Sequence, residues 1–131
     1  MLEEPFLFEG AAVHNPICDL VNHLLVDDLS PSNREFGNIR RSQDVYDRIQ
    51  RYSPYHMYMP EKPVTDLLIS VDEELGHERY HARKFTSKLR DIFHQDPMYA
   101  FYREFSQKMY SEEQKKAEQY SFLINSLMYN H

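Results

Sequence analysis

The feature that most restricts the fold is a nearly continuous run of apolar and β-branched side chains at residues 64–71 (Val-Thr-Asp-Leu-Leu-Ile-Ser-Val). Such a run without alternation indicates a strand that is covered on both faces, as in parallel sheets. An amphipathic segment follows at 77–93, where Ala82, Phe85 and Leu89 recur at helical spacing. A buried strand followed by an amphipathic helix is typical of an α/β fold, so we expect a parallel sheet.

Further segments extend this alternation in both directions. The predicted strands are 10–14, 64–71 and 98–105, the predicted helices are 17–26, 42–52, 77–93 and one that opens at 111, and 27–38 is predicted to be a surface loop. The last helix begins with the capping box Ser111-x-x-Gln114. Its expected core-facing stripe is Ala117, Tyr120, Ile124, Leu127 and Met128. Alternating strands and helices imply right-handed crossovers. The prediction is one α/β domain over residues 1–131, with flanking helices and a mostly parallel sheet of about three strands.

Composition excludes several function classes. The chain has 131 residues and only 3 glycines, so it holds neither a P-loop nor a dinucleotide-binding fingerprint. The formal net charge of −6 argues against nucleic acid as a partner, because phosphate binding needs concentrated Lys and Arg. We expect no nucleic-acid partner and no cofactor.

The sequence also indicates where the protein is located and whether its cysteine is oxidised. No apolar run approaches eighteen residues, and the first residues are acidic, so we expect neither a membrane span nor a secretory signal. The single cysteine, Cys18, excludes an internal disulfide and is interpreted as a small core residue. Together these features favour a cytoplasmic protein.

One literal metal motif is present. His77, Glu78 and His81 form an HExxH sequence, in which histidines at i and i+4 share a helix face and can bind zinc while the glutamate activates water. A charged Arg79 occupies a middle position that zinc peptidases keep uncharged, and the motif supplies no third ligand. Surface histidines on a helix are the alternative interpretation, which we favour.

An acidic group, Asp72-Glu73-Glu74, follows the best predicted strand. Ligand-binding and catalytic groups of parallel α/β sheets gather at this carboxyl end of the strands. The alternative is a solvated acidic turn that begins the next helix, where negative charge suits the helix dipole.

Taken in order, four segments resemble the last part of the catalytic domain of the prolyl oligopeptidase family, which are serine peptidases of the α/β-hydrolase fold. They are Pro5-Phe-Leu-Phe-Glu-Gly-Ala-Ala-Val13, Arg34-Glu-Phe-Gly-Asn38, Arg51-Tyr-Ser-Pro-Tyr-His56, and Asp66-Leu-Leu-Ile-Ser-Val71 followed by His81-Ala-Arg-Lys-Phe85. No single motif is decisive, but their order and spacing cover nearly the whole chain. The resemblance implies a partial α/β-hydrolase fold.

The resemblance also assigns site residues. Counted back from Phe85, Glu74 occupies the position of the family's triad aspartate, and Gly76 replaces its substrate-binding arginine. Phe36 stands where prolyl-specific members have a substrate-contacting tyrosine. The family's nucleophile elbow, Gly-x-Ser-x-Gly, is absent from this sequence and would precede Met1. The segment 105–110 stands in place of the histidine loop and contains no histidine.

Three functions follow from these residues. The first is a fragment or degenerate member of the family that is not catalytic alone and acts as a binding or scaffold module. The second is a subunit that completes an active serine peptidase with a partner chain, with Glu74 as the acid and a peptide substrate only in that complex. The third is a zinc hydrolase that uses His77, Glu78 and His81. The strand near Ala11 would lie at an exposed edge, which predicts self-association or a partner chain.

Overall fold

The protein is described here by a computed structural model that covers residues 7–26, 31–57, 66–76, 78–94 and 100–129. Within these ranges strands and helices alternate. The strands are β1 (Gly10–His14), β2 (Asp66–Asp72) and β3 (Ala100–Phe105). The helices are α1 (Leu20–Val26), α2 (Pro31–Phe36), α3 (Gln43–Tyr52), α4 (Glu78–Ile92) and α5 (Glu112–Tyr129), with a 3-10 turn at Glu73–Leu75.

The three strands form one parallel sheet in the order β1-β2-β3. In its register Ala11 lies opposite Leu67, and Leu67 lies opposite Ala100. The central strand β2 is buried along most of its length, as the apolar run 64–71 predicted. The expected α/β architecture with a three-stranded parallel sheet and flanking helices is therefore confirmed.

The main core lies between the sheet and α4. Leu67, Ile69 and Val71 point from alternate positions of β2 to this face, where they meet the apolar stripe of the helix. That stripe consists of Ala82, Phe85, Leu89 and Phe93. Cys18 belongs to the same cluster and is buried, as expected. Burial raises the pKa of its thiol to about 12, and the neighbouring Asp19 carboxylate adds to this effect.

Helix α5 covers the other face of the sheet, but not with the apolar stripe that was predicted. The side chains of Lys115 and Ser126 are buried against the strands. The expected core stripe Ala117, Tyr120, Ile124, Leu127 and Met128 is exposed instead. The polar residues Ser70 and Asp72 of β2 point to this face, so they select polar partners on the helix. Among the helices of the described ranges, none has the length and hydropathy needed to cross a bilayer.

A second apolar cluster joins α1, α2 and α3 beside the sheet. Its buried members are Val21, Leu24, Ile39 and Ile49. Helix α3 begins at the predicted cap, where the Ser42 hydroxyl accepts a hydrogen bond from the Val45 N–H. The prediction of a surface loop at 27–38 was wrong for Pro31–Phe36, which forms α2, while residues 27–30 lie outside the described part.

Candidate functional site

The candidate site lies at the edge of the sheet where all three parallel strands end. β1 ends at His14, β2 ends at Asp72 and β3 ends at Phe105. Side chains just beyond these ends are brought together by the topology alone, which makes this edge the usual position of a site in α/β proteins. The predicted residue Glu74 lies here, in the 3-10 turn that follows β2.

Glu74 contacts the segment that follows β3. Its Oε1 accepts a hydrogen bond from the backbone N–H of Gln107 at a distance of 3.0 Å. This segment is the one that stands in place of the family's histidine loop. The carboxylate is exposed, and among the described residues no histidine ring bonds to it. The described partner of Glu74 is therefore a backbone N–H, and the role of this residue as the triad acid stays a prediction.

Gly76 ends the turn that carries Glu74. Its backbone has φ +57° and ψ −121°, a conformation that glycine adopts readily and other residues do not. A Cβ at this position would meet no atom within 4 Å, so the glycine is required by its backbone conformation and not by crowding. The backbone conformation of the turn explains why glycine stands here, and a role of Gly76 in substrate binding stays a prediction.

Phe36, the second predicted substrate-binding residue, lies at the end of α2. Its ring is half-buried against the cluster formed by α1 and α3, and its carbonyl accepts a hydrogen bond from Arg48 at 3.2 Å. The described contacts do not join Phe36 to Glu74 or Gly76. Its proposed role in substrate binding stays a prediction.

The zinc motif is only partly described. His77 lies outside the described residues, and Glu78 is described by its backbone at the start of α4. The ring of His81 lies edge-on to that of His23, with 6.2 Å between ring centroids. Within the described ranges no group of three His, Cys, Asp or Glu side chains could hold a metal ion. The zinc site therefore stays a prediction that depends on His77.

A polar network that the sequence analysis missed connects the ends of β1 and β2. The Asn15 side chain donates to Asp72 Oδ2 at 2.9 Å and accepts from the Asp72 N–H at the same distance. Asn15 has φ +51°, a left-handed conformation that asparagine tolerates better than most residues. The buried Lys115 of α5 donates to Asp72 Oδ1 at 2.6 Å. The position of His14-Asn15 and of Asp72 at predicted strand ends was the signal that could have indicated this network.

Asp72 is held in its ionised form by these contacts. Burial by itself would raise the pKa of this carboxyl. Hydrogen bonds from Lys115 and Asn15 outweigh that effect and lower the pKa below its ordinary value. The network therefore fastens α5 and the end of β1 to the central strand.

Within the same network, the side chain of His14 lies between those of Ser70 and Asp72. His14 Nδ1 lies 3.0 Å from Ser70 Oγ, and His14 Nε2 lies 3.4 Å from Asp72 Oδ2. Ser70 is fully buried, and its hydroxyl donates to the Val13 carbonyl while Gln119 Nε2 donates to it. A nucleophile needs space for the scissile bond above its oxygen. Ser70 has none, so the arrangement is structural.

Comparison with known proteins gives a structural match only. No sequence model of a protein family matches the chain, and no curated protein matches it by sequence. Among solved structures, it is similar to prolyl oligopeptidase B from Galerina marginata, in a mutant with an aspartate replaced by alanine and bound to a 25mer macrocyclization substrate. The TM-score is 0.74 over 92% of this chain, with 22% sequence identity. This chain has part of the α/β-hydrolase fold.

The match covers only a small part of the Galerina marginata protein. This chain covers 18% of the length of the Galerina marginata protein. The resemblance that the sequence motifs indicated is confirmed for the fold. Activity, substrate and partners of the whole protein do not follow from it, since a likeness at this identity concerns the backbone arrangement.

Proposed function

We propose that this chain is a scaffold module of the prolyl oligopeptidase type that is not catalytic alone and assembles through the free edge of β1. The observation that carries the proposal is the strand order, which places β1 at one side of the sheet with β2 as its sheet partner in the described residues. An edge strand with unpaired N–H and C=O groups is a template for another strand.

The backbone hydrogen bonds identify which groups of β1 are free. The Asn15 N–H donates to the Ser70 carbonyl at 2.8 Å, and the Asp66 N–H donates to the Glu9 carbonyl at 3.2 Å. Odd-numbered residues of β1 therefore pair with β2. Because alternate residues of a strand direct their backbone groups to opposite sides, Gly10, Ala12 and His14 direct theirs away from the sheet. Among the described residues nothing pairs with these groups, so this edge is available to a further strand.

An apolar helix flank adjoins this edge. On α5, Glu118 and Phe122 face β3, where they contact Arg103 and Phe101. At 100° per residue, Tyr120 and Leu127 lie on the opposite flank, toward β1. Ile124 lies next to them on the outward side of the helix, about 160° from the buried Ser126, and all three residues are more than half exposed. A strand added to β1 would bring its own connections against this flank and cover it.

The chemistry of the chain supports a role without catalysis. Hydrolysis of an amide needs an activated nucleophile with a base in hydrogen-bond reach. The sequence holds no Gly-x-Ser-x-Gly elbow, and the Ser70 hydroxyl beside His14 is buried. Losing the triad serine or histidine removes rate enhancement on the order of a millionfold.

Sedimentation equilibrium of the purified chain tests the assembly. The wild-type chain is expected to form a dimer whose population rises with concentration. The double substitution Ile124→Asn with Leu127→Asn is expected to weaken the dimer at least tenfold. The matched control, Val26→Asn at the end of α1, also removes an exposed apolar side chain and is expected to leave the dimer unchanged. Equal association of all three proteins would contradict the role of the α5 flank.

A second function is favoured by one contact. The exposed carboxylate of Glu74 lies at the carboxyl end of the sheet, where a partner chain's histidine would have to replace the Gln107 N–H as its hydrogen-bond donor. A fluorophosphonate probe, applied to the assembled complex from the native source, tests this function. Labelling of a partner serine that falls in Glu74→Ala and is retained in Glu74→Asp would support it. Labelling that is the same in all three proteins would exclude Glu74 as the acid.

A further inference from the structure

The opposite edge of the sheet, along β3, lies between two grooves of different chemistry. One groove lies on the α4 side and has a volume of about 230 Å³. The other lies on the α5 side and has a volume of about 500 Å³. Both border the same edge strand, so a segment paired with β3 would place alternate side chains into the two grooves. This surface is separate from the β1 edge.

The backbone of β3 has free groups at this edge. Even-numbered residues of β2 bond to β1, as Asp66 and Ser70 show, so odd-numbered residues bond to β3. In the register that sets Leu67 opposite Ala100, this leaves the N–H and C=O groups of Ala100, Tyr102 and Glu104 directed away from the sheet. The Arg90 Nε already donates to the Ala100 carbonyl at 3.0 Å, which agrees with this direction and leaves the Ala100 N–H and the groups of Tyr102 and Glu104 for a further strand.

Among the described residues, Arg90 is the unpaired positive charge of the α4-side groove, because Arg83 forms an ion pair with Glu104. The groove is lined by Arg83, Thr86, Ser87, Arg90 and Tyr102. Arg83, Ser87 and Arg90 lie within about 60° of one another around the helix axis. Glu104 is the carboxylate at this groove, and it accepts hydrogen bonds from Arg83 and Tyr102. No carboxylate of the described residues lies within ion-pair distance of Arg90, so its charge is available to a ligand.

The α5-side groove is mainly apolar at its base. The rings of Phe101 and Phe122 pack edge to face with 5.4 Å between centroids, and Leu68 lies beneath them. Arg103 and Glu118 close one end as a doubly hydrogen-bonded pair at 3.0 and 3.1 Å. Because this pair neutralises itself, the groove favours apolar side chains over charged ones.

From these two grooves we infer that the β3 edge binds an extended peptide segment in which acidic and apolar residues alternate. Its backbone adds a fourth strand to the sheet. Its acidic side chains face Arg90, beside the Arg83–Glu104 ion pair, and its apolar side chains cover Phe101 and Phe122. In this type of recognition the main chain provides affinity and the alternate side-chain pockets provide selectivity.

Binding to three labelled peptides, measured by fluorescence anisotropy, tests the inference. The first alternates glutamate and leucine over the length of β3, the second replaces glutamate by lysine, and the third keeps the sequence but carries N-methyl groups on alternate amides. The first peptide is expected to bind at least tenfold more tightly than either of the others, and its affinity is expected to fall as salt is added. Lysine or N-methylated peptides that bind within twofold of the first would overturn the proposal, as would failure of the first to bind at about 1 mM.

A pair of variants at Ser87 locates the site. This side chain is exposed on α4 between the two arginines, so its replacement leaves the core intact. Ser87→Glu adds a negative charge to the groove and is expected to weaken the glutamate–leucine peptide at least tenfold. Ser87→Gln has nearly the same size without the charge and is expected to change affinity less than twofold. Equal affinities for the two variants would overturn the assignment of the acidic side chains to this groove.

Discussion

Glu74 Oε1 accepts a hydrogen bond from the Gln107 N–H at 3.0 Å, which joins the turn after β2 to the turn after β3. In the family that the motifs resemble, these two turns carry the catalytic acid and the catalytic histidine. In this chain a backbone amide of the second turn donates to the carboxylate of the first, and the role of Glu74 as a triad acid stays a prediction. This contact holds the two turns together.

This contact predicts a small and specific effect on stability. Glu74→Ala removes the acceptor and is expected to lower the free energy of unfolding by about 1 kcal/mol, as for one partly exposed hydrogen bond. Glu74→Gln keeps an oxygen at the same position and is expected to retain most of that stability. Hydrogen exchange at the Gln107 amide, measured by NMR, reports the contact directly. Exchange that is equally slow in the alanine variant would contradict it.

Asp19 predicts a loss of stability in acid. Burial by itself would raise the pKa of this carboxyl, but hydrogen bonds from Lys84 and Asn22 outweigh it and lower the pKa below the ordinary value of 3.8. A lowered pKa stabilises the fold above pH 3.8, and this contribution is lost as the pH falls through the folded-state pKa. Asp19→Asn is expected to lose on the order of 2 kcal/mol at pH 7. Urea unfolding, measured from pH 7 to pH 2, should show that the difference in free energy of unfolding between Asp19→Asn and wild type becomes smaller below pH 4.

Asp66 provides a control of opposite sign. Burial raises its pKa above 3.8, although a hydrogen bond from Ser126 reduces the effect. A raised pKa penalises the ionised form in the folded state, so Asp66→Asn is expected to match or exceed wild-type stability at pH 7. A loss of stability at pH 7 equal to that of Asp19→Asn would contradict the assigned directions.

Two isoleucines distinguish the buried face from the free face. Ile69 is fully buried between β2 and α4, and Ile69→Ala is expected to cost about 3 kcal/mol. Ile124 is 55% exposed on α5, and Ile124→Ala is expected to change stability by less than about 0.5 kcal/mol. Denaturant unfolding at a low protein concentration separates the two. A large loss for Ile124→Ala would show that this side chain is part of the core.

Cys18 predicts slow thiol chemistry. Its pKa of about 12 leaves little thiolate at pH 8, and the side chain is buried. Iodoacetamide is therefore expected to label the folded chain far more slowly than the chain in urea. Mass spectrometry after timed quenching measures both rates. Labelling that is equally fast in both conditions would place Cys18 at the surface.

The parallel sheet could be predicted from the sequence because two strong signals agreed. The uninterrupted apolar run of β2 and the apolar stripe of α4 pack against each other and form the two sides of one core. The helix caps at Ser42 and Ser111 could also be predicted, because each depends only on residues within one helical turn.

Helix α5 could not be predicted in the same way. Its apolar stripe is the stronger pattern in the sequence, yet the helix buries Lys115 and Ser126. The deciding partners are Asp72 for Lys115 and Asp66 for Ser126, and both are more than forty residues away along the chain, so no local pattern contains them. The network around Asp72 could not be predicted for the same reason, because its members are far apart in the sequence. The position of Glu74 could be predicted, because this residue lies in the turn that directly follows the strand β2.

Sedimentation of two proline variants tests the central claim most directly, because only one of them should disturb the sheet. The Ala12 N–H points away from β2, so Ala12→Pro blocks the free edge and is tolerated by an edge strand. The Ala11 N–H faces β2, so Ala11→Pro removes a bond within the sheet and should lower stability. We predict that Ala12→Pro is folded and monomeric at concentrations where the wild-type chain is dimeric. A folded Ala12→Pro chain that dimerises as strongly as wild type would contradict assembly through β1.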